Sequence, residues 1–515
     1  MDGRRYPVRY KVINANSLRI DTQDTARIKL TVIPGPDPED GWWYKFGQHA
    51  TRIAMSVRNF SFTYKNTYAM TLPGFRPEVG DMFGQKKHGG FLAPGMDFAF
   101  GFTGDGYIDR ALQNDWLICN DSVVSPASSN ALEDLQLRIS LEPIRDLKID
   151  LTANRTRNRS REIQYMFEGM PDTRSGNFSM SIISIGSAFE RPSAGDGYHS
   201  GTFERFRRNL DVIRDRVESQ FLGAQYPQGS ILAGKTFDPA NGTISKHSPD
   251  VMIPAFLAAY TGKSARNSAL DFFPSLFSMM PNWRITYTGL TKIAWFKKNF
   301  RSVNLNHAYR STYSVGSYNT FQSFMSYMGD IGFVEDVQSG NPIPSSRFDI
   351  SMVSINEQFS PLIGMDATLK NGLTAKVEYK TSRILNLSMS ACQLVETASR
   401  DFVIGLGYKI VNFNLFSGRN VKDSKNRVSH DLALRADISF RNQSALCRDI
   451  QQGFAQATNG NKALKISCSA DYTLSRLLTL RLYYDRQQNT PLVSSSSYPV
   501  VSADFGFSMK FSLTR

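Results

Sequence analysis

Long apolar runs are absent from this chain of 515 residues. No stretch approaches the roughly 18 consecutive apolar residues that an α-helix needs to cross a bilayer, so α-helical membrane insertion is excluded. The mean hydropathy is -0.32. This low value is compatible with an integral membrane protein, because only every second residue of a β-barrel strand faces lipid.

Cysteine and histidine are too few and too scattered to indicate a bound metal. The four cysteines contain no CxxC pair, and their spacing leaves open whether any two are joined. None of the six histidines has a neighbour at ligand spacing. Since a GxSxG elbow, a Walker loop and a GxGxxG order are also missing, we predict no metal, no cofactor and no enzyme activity. A catalytic group of His307 with Ser311 or Ser314 is a remote alternative.

The N-terminal residues lack the apolar core of a signal peptide. Met1 to Pro7 carries charges, but no apolar segment follows them. If the protein lies in an outer membrane, its export signal is expected upstream of Met1. The chain is then expected to be part of a longer protein.

Apolar and polar residues alternate one for one through most of the last third of the chain. The segment from Leu464 to Leu474 alternates without a break over eleven residues, and the segment from Ser502 to Thr514 does the same. A period of two places the two sets on opposite faces of a strand. A tilted strand needs about 9 to 11 residues to cross a bilayer, whereas soluble strands average about 5 or 6. The pattern therefore predicts strands with one face on lipid and one on water.

We predict an all-β fold, a transmembrane antiparallel β-barrel with a small helical insertion and roughly 14 to 16 strands. Residues 1–134 are assigned to barrel strands with Gly, Pro and aromatic-rich loops or an insertion, 135–190 to barrel hairpins, 191–280 to the helical insertion and 281–515 to C-terminal strands. Leu373 to Tyr379 and Leu385 to Met389 are predicted as two strands with a short turn between them, while Arg441 to Asn461 and Arg486 to Tyr498 are predicted as long external loops. The candidate lumen-facing residues are Lys465, Asp471, Arg481 and Lys510.

One region departs from the period of two. Apolar residues recur there at spacings of three and four, which predicts an amphipathic helix: Phe203, Phe206, Leu210, Ile213, Val217 and Phe221. Thr202 is the candidate N-cap, and Gly223 lies just past the end. A second helix is predicted from Val251 to Tyr260. The pair is a candidate gate, plug or docking element, or alternatively a small insertion that only covers one barrel mouth.

The net charge of +14 is most concentrated in a row of four arginines. Arg155, Arg157, Arg159 and Arg161 continue the parity of the apolar residues from Leu147 to Ala153, so one strand face changes from apolar to cationic. Because guanidinium forks suit phosphate oxygens, the row is a candidate contact for anionic lipid headgroups or lipopolysaccharide. The alternative is a solvated basic rim or loop. Nucleic acid is not expected, since no aromatic stacking platform accompanies the row.

Several segments, in order, resemble the C-terminal region of the SprA/Sov family of the Bacteroidota. They are Pro281 to Leu290, His307 to Gly316, Glu357 to Gly364, Glu378 to Lys380, Arg383 to Leu387, Gly405 to Tyr408 and Phe511 to Arg515. The resemblance is specific from about residue 140 onward and covers only the C-terminal fraction of a full-length family member.

The resemblance implies the translocon of type 9 secretion, a very large single-chain outer-membrane barrel that passes folded proteins to the cell surface and is related to gliding motility. Implied partners are the upstream remainder of the same translocon, a PorV-like barrel, a periplasmic plug component and secreted folded cargo. Because 16 to 18 strands enclose only a porin-like channel, this function requires upstream strands, and the chain alone should have unpaired edges. The alternatives are a self-contained porin or outer-membrane receptor and a soluble surface β-sandwich adhesin.

Overall fold

The computed structural model describes residues 9–14, 17–20, 55–78, 80–104, 106–118, 125–164, 172–411, 413, 431–474, 478–493 and 498–511. The chain divides into two compact units, residues 1–55 and 56–515. In the first unit, β1 (Tyr10–Asn14) and β2 (Ser17–Ile20) form an antiparallel hairpin.

One 14-stranded antiparallel sheet dominates the second unit. The strands of this unit are β3 (Val57–Thr71), β4 (Lys86–His88), β5 (Phe91–Ala93), β6 (Ala127–Ile144), β7 (Leu147–Ile163), β8 (Thr173–Ser181), β9 (Asn282–Tyr287), β10 (Phe300–Thr320), β11 (Met325–Met328), β12 (Ile331–Glu335), β13 (Pro342–Ser346), β14 (Phe348–Ile350), β15 (Met352–Leu369), β16 (Leu373–Ser388), β17 (Gln393–Ile410), β18 (Leu432–Asp449), β19 (Ala455–Thr473), β20 (Leu478–Pro491) and β21 (Val500–Phe511).

The main strand order of the sheet is β21-β20-β19-β18-β17-β16-β15-β10-β8-β7-β6-β3, with β9 and β14 as short additional members. Most neighbours in the sheet are also neighbours in sequence, as in an up-and-down barrel wall. The predicted all-β antiparallel fold of the membrane-barrel type, with a small helical insertion, is therefore confirmed. Among the described residues no ladder joins β3 to β21, so the sheet has two free edges.

The described part of the chain contains the helices α1 (Met96–Ala99), α2 (Tyr107–Gln113), α3 (Gly201–Ser219), α4 (Pro249–Tyr260) and α5 (Ala294–Asn299). Both predicted helices are confirmed as α3 and α4. The N-cap of α3 is Ser200 rather than Thr202, because the Ser200 hydroxyl accepts a hydrogen bond from the Phe203 N–H at 3.1 Å. No helix in the described part of the chain has the length and apolarity needed to cross a bilayer.

The strands are longer than their alternating segments. β18 continues to Asp449 and β19 begins at Ala455, so the predicted external loop from Arg441 to Asn461 is wrong except for a tight turn. The loop predicted from Arg486 is also wrong in its first part, since β20 runs to Pro491. Alternation marks only the part of a strand with an apolar face, whereas ladder hydrogen bonds continue beyond it.

The segment from Leu373 to Met389 is one strand up to Ser388 and not two. β16 pairs with β17 without interruption from Leu373 to Ser388. The predicted turn was wrong because a charged residue, Arg383, occupies the apolar parity there. β6 and β7 form a hairpin, with Ile144 paired to Leu147 across the turn. β3 carries a bulge, seen as a register shift between Val57 and Asn59 in its pairing with β6.

Two hydrophobic cores stabilise the second unit. The larger one lies between the helices α3 and α4 and one face of strands β8, β10 and β15 to β17. A small one joins Ala93, Tyr107, Ala111, Trp116 and Leu117 in the segment between β3 and β6. The sheet is thus covered over only part of its surface.

Candidate functional surfaces

The helical insertion, residues 182–281, connects two short strands, β8 and β9, which together fill one strand position in the sheet. β8 occupies one half of the space between β7 and β10, and β9 occupies the other half and runs in the same direction. The two chain crossings are tied together, since the Met280 N–H donates to the Ser181 carbonyl at 3.1 Å and the Asn282 amide donates to the Ser181 hydroxyl at 3.2 Å. The insertion is therefore anchored within the wall rather than in a loop at its rim.

The insertion packs on the sheet face that carries the apolar parity. Tyr313, Ile355, Leu385 and Leu394 are each fully buried beneath it. These residues lie toward the end of the sheet where β10, β16 and β18 finish and β15 and β17 begin, which we call the insertion end of the sheet. All six residues of the predicted amphipathic helix contribute to this core. They face the sheet, on the side opposite to its polar face.

Toward the other end of the sheet, the same face is bare. Large apolar side chains of the outer strands remain exposed there and form a continuous apolar band: Phe402, Leu406, Leu434, Ile438, Phe440, Leu482, Phe505, Phe507 and Met509. The strand registers place them side by side, with Phe402 beside Phe440 and Leu482 beside Phe507. An 18-residue strand such as β18 is about 60 Å long, whereas about 9 to 11 residues suffice to cross a bilayer. Each long strand therefore has room for one membrane-spanning half and one half outside the membrane.

The opposite face of the outer strands is polar. The four candidate lumen-facing residues, Lys465, Asp471, Arg481 and Lys510, all lie on it. Asp471 pairs with Arg481 across the strands at 3.6 Å, and Lys510 stands opposite Thr479. The four residues share one face of the sheet, as the alternation of polar and apolar residues predicts. Their contact with a lumen remains a prediction.

Two buried ion pairs attach the insertion to the sheet. Arg383 on β16 and Glu357 on β15 are separated by 2.6 Å, with side chains only 8% and 2% exposed. Glu357 also accepts hydrogen bonds from the Ser184 and Tyr309 hydroxyls at 2.7 and 2.8 Å. Arg383 donates to the Ser187 carbonyl at 2.6 Å. Its guanidinium lies 5.8 Å from the centre of the ring of Tyr260, which belongs to α4. The pair thus links the wall to both the start of the insertion and its second helix.

The second ion pair repeats this arrangement on the neighbouring strands. Arg448 on β18 contacts Glu396 on β17 at 3.0 Å, with side chains 1% and 8% exposed. The guanidinium donates to the Tyr198 carbonyl at 2.6 Å and lies 5.5 Å from the centre of the Phe203 ring of α3. In both pairs, a wall carboxylate holds an arginine that contacts insertion backbone and an insertion ring. Such an arrangement favours one fixed docking position, because a displaced insertion would take away the Ser187 and Tyr198 carbonyl acceptors of the two guanidinium groups.

Glu190 fixes the start of α3. Its carboxylate accepts hydrogen bonds from the Ser200 and Thr202 hydroxyls and from the Thr202 N–H. Burial opposes ionisation of the Glu190 carboxyl, but these three donors outweigh burial and lower its pKa. The Arg400 guanidinium on β17 donates to the Glu190 carbonyl at 3.3 Å, which joins this cap to the wall.

We expect Glu190→Gln to destabilise the insertion by about 1 to 2 kcal/mol at neutral pH, because the charged acceptor is lost. A lowered native pKa stabilises the fold above the unfolded value of about 4.3, and this contribution is lost as pH falls through the native pKa. Wild type and variant should therefore converge on acidification. Denaturant midpoints of the helical circular dichroism signal between pH 7 and pH 3 test this, and a difference independent of pH would contradict it.

The arginine row lies at the insertion end of the apolar-parity face. Arg155 lies 5.2 Å from the centre of the Phe178 ring, and Arg157 lies 5.0 Å from that of Phe273 in the insertion. Arg159 pairs with Glu133 at 2.6 Å, and Arg161 pairs with Asp172 at 2.9 Å. The positive charge of the row is therefore partly compensated by carboxylates, and part of the row is covered by aromatic rings. Its contact with headgroups remains a prediction.

The remaining sequence candidates form no chemical centre. The His307 ring nitrogen Nδ1 contacts the Leu362 carbonyl at 2.6 Å, and Ser311 lies four residues further along the same strand face, about 13 Å away. Ser314 is on the opposite face and hydrogen-bonds Ser354. The described residues contain no group of three or more potential metal ligands. Within them, Cys392, Cys447 and Cys468 are free thiols, while Cys119 lies outside them.

Hydrophobic periodicity does not predict the two buried pairs, although the sequence contains a signal for them. Glu357, Arg383, Glu396 and Arg448 each interrupt the apolar parity of their strand close to the insertion end. A charge on the apolar parity marks the point where the bare apolar band stops and contact with the insertion begins. Arg155 to Arg161 carry the same signal on β7.

No family model and no curated protein matches this chain. Among solved structures, it is similar to the β domain of the Bordetella autotransporter BrkA, with a TM-score of 0.21, 6% sequence identity, and coverage of 75% of this chain and 92% of that chain. It is also similar to OmpT, an outer membrane protein of Vibrio cholerae in its trimer form, with a TM-score of 0.20, 9% identity, and coverage of 88% of this chain and 98% of that chain.

Proposed function

We propose that this chain is the C-terminal wall section of an outer-membrane protein-conducting translocon of the SprA/Sov type, which passes folded cargo to the cell surface. It acts as a conduit and carries out no covalent chemistry. The apolar band would contact lipid, and the polar face with Lys465 and Arg481 would line the aqueous passage. The observation that carries the proposal is a long-stranded sheet with one bare apolar face and two free edges.

The free edges support a section of a larger barrel. β21 bonds only to β20 and β3 only to β6 among the described residues. An exposed strand edge presents unpaired N–H and C=O groups, which cannot remain unsatisfied in hydrocarbon. Further strands of the same longer polypeptide would pair with both edges. A passage wide enough for folded cargo would need those strands as well.

The position of the insertion favours docking over gating. Since α3 and α4 pack on the apolar-parity face, they would stand outside the wall and just beyond the membrane rather than inside the passage. In this arrangement the insertion is a docking element for the proposed partners, among which the PorV-like barrel shares the membrane. The proposed periplasmic plug component and the cargo would meet other surfaces.

A self-contained porin or outer-membrane receptor is the second candidate, because the 12 strands on the main path of the sheet fall within the range of about 8 to 26 strands that outer-membrane barrels have. Spin labels on Ser61 of β3 and Ser508 of β21 separate the two functions. Strands that pair lie about 4.8 Å apart, so a barrel that closes by pairing β3 with β21 would give strong dipolar broadening. We expect none for the chain in lipid vesicles, and a Ser508 label with a second label at Arg481, its partner on β20, serves as the positive control.

Conductance provides the matching functional measurement. We expect no stable, porin-sized current steps when the chain is added to planar bilayers, because an open wall encloses no channel. Uniform small steps together with dipolar broadening between β3 and β21 would contradict the translocon proposal and support the porin.

A further inference from the structure

We propose that a cavity at the arginine row is a binding site for one phosphate-type oxyanion. The cavity lies between strands β6 to β8 and the ring of Phe348, and has a volume of about 80 Å³. At about 30 Å³ for each water molecule, it has room for two or three waters. This size suits a single tetrahedral oxyanion and is too small for a sugar or a nucleotide.

Four guanidinium groups surround this cavity, against a single carboxylate: Arg157, Arg159, Arg161 and Arg174, with Asp330. Glu133 and Asp172, which do not line the cavity, pair with Arg159, Arg161 and Arg174. Arg157 forms no ion pair among the described residues. The Nε atoms of Arg157 and Arg159 are buried and have no hydrogen-bond partner there. Burial of guanidinium donors without acceptors costs free energy. The oxygens of a phosphate would supply the missing acceptors.

The surroundings hold Arg157 in place before any anion binds. Its guanidinium lies 5.0 Å from the centre of the Phe273 ring, which belongs to the insertion. Next to it, Tyr318 donates from its hydroxyl to the Asn158 carbonyl at 3.2 Å. Gly176 makes room for this ring, because a Cβ there would lie 2.6 Å from the Tyr318 hydroxyl oxygen. A preorganised cation loses less conformational entropy on binding than a mobile surface arginine.

The position of the cavity points to a lipid phosphate as its source. The arginine row shares a face with the apolar band and lies toward the insertion end, where a strand leaves hydrocarbon for the headgroups. This choice of source rests on the proposed membrane orientation, whereas the anion site itself rests on the cavity. A phosphorylated glycolipid of the outer leaflet and free inorganic phosphate offer the same chemistry, so the experiment must distinguish them.

Isothermal titration of the full chain in detergent micelles tests the site with three probes: inorganic phosphate, diphosphorylated lipid A and fully dephosphorylated lipid A. We expect Arg157→Gln to weaken binding of diphosphorylated lipid A at least 10-fold, and Arg157→Lys to weaken it less. Arg138→Gln is the matched control, because Arg138 lies on β6 on the opposite face, beside Thr152. It should bind like the wild type.

Each outcome has a clear meaning. Unchanged binding by Arg157→Gln, with a denaturation midpoint like that of the wild type, would overturn the site, as would equal weakening by Arg138→Gln. Preference for diphosphorylated over dephosphorylated lipid A supports a lipid phosphate. Equal binding of both lipids, with inorganic phosphate bound only by the wild type, would overturn the lipid source and keep the site. These results are independent of the β3 to β21 spin-label test, so the two proposals fail separately.

Discussion

Replacing Glu357 with Gln is expected to lower the free energy of unfolding of the docked insertion by about 3 to 5 kcal/mol, because Arg383 would remain buried without a counter-charge. The two side chains are 2% and 8% exposed, so water does little to solvate the orphaned guanidinium. Glu357→Gln also weakens the acceptor used by Ser184 and Tyr309. The denaturant midpoint of the helical circular dichroism signal in micelles measures the effect.

A surface pair on the same sheet provides the control. Arg441 contacts Asp401 at 2.9 Å, but the arginine side chain is 59% exposed. Asp401→Asn should cost no more than about 1 kcal/mol, since exposed ion pairs contribute little. The double variant Glu357→Gln/Arg383→Met should recover part of the loss by removing the unpaired charge. A Glu357→Gln effect as small as that of Asp401→Asn would contradict buried docking.

The sequence predicted the strands where their physical environment repeats with a period of two. Leu464 to Leu474 and Ser502 to Phe511 alternate because each apolar side chain meets the same surroundings as its neighbour two residues away. Asn442 and Ser444 do not alternate with apolar residues, yet they continue β18 through ladder bonds to β19. Backbone pairing leaves no trace in the side-chain pattern, so strand ends outside the apolar band could not be located.

The docking of the insertion was also beyond the sequence reasoning, although both helices were predicted correctly. Ser181 and Asn282 are far apart in the chain but adjacent in the sheet, where β8 and β9 share one position. Periodicity is a local property and cannot detect that a strand resumes after a long insertion. The face that α3 contacts depends on this connection, and so does the preference for docking over gating.

Ile438→Arg should destabilise the chain in lipid vesicles by about 2 to 4 kcal/mol, because a guanidinium would replace an apolar side chain facing the bilayer interior. Ile438 is 45% exposed in the middle of β18, between Ile404 and Ile466 on the neighbouring strands. The substitution removes little packing, so most of its cost would come from moving the charge into hydrocarbon. Guanidine unfolding in vesicles, followed by tryptophan fluorescence, measures the change.

Ser439→Arg is the matched control, one residue away on the polar face, between Val403 and Lys465. It places the same charge at the same depth, but on the side that borders water, so its cost should stay below about 1 kcal/mol apart from repulsion by Lys465. The difference between the two variants should largely vanish in a purely aqueous, lipid-free refolding assay. Equal costs in vesicles would mean that both faces meet the same solvent, and a β-sandwich adhesin would then replace the membrane wall as the explanation of the apolar band.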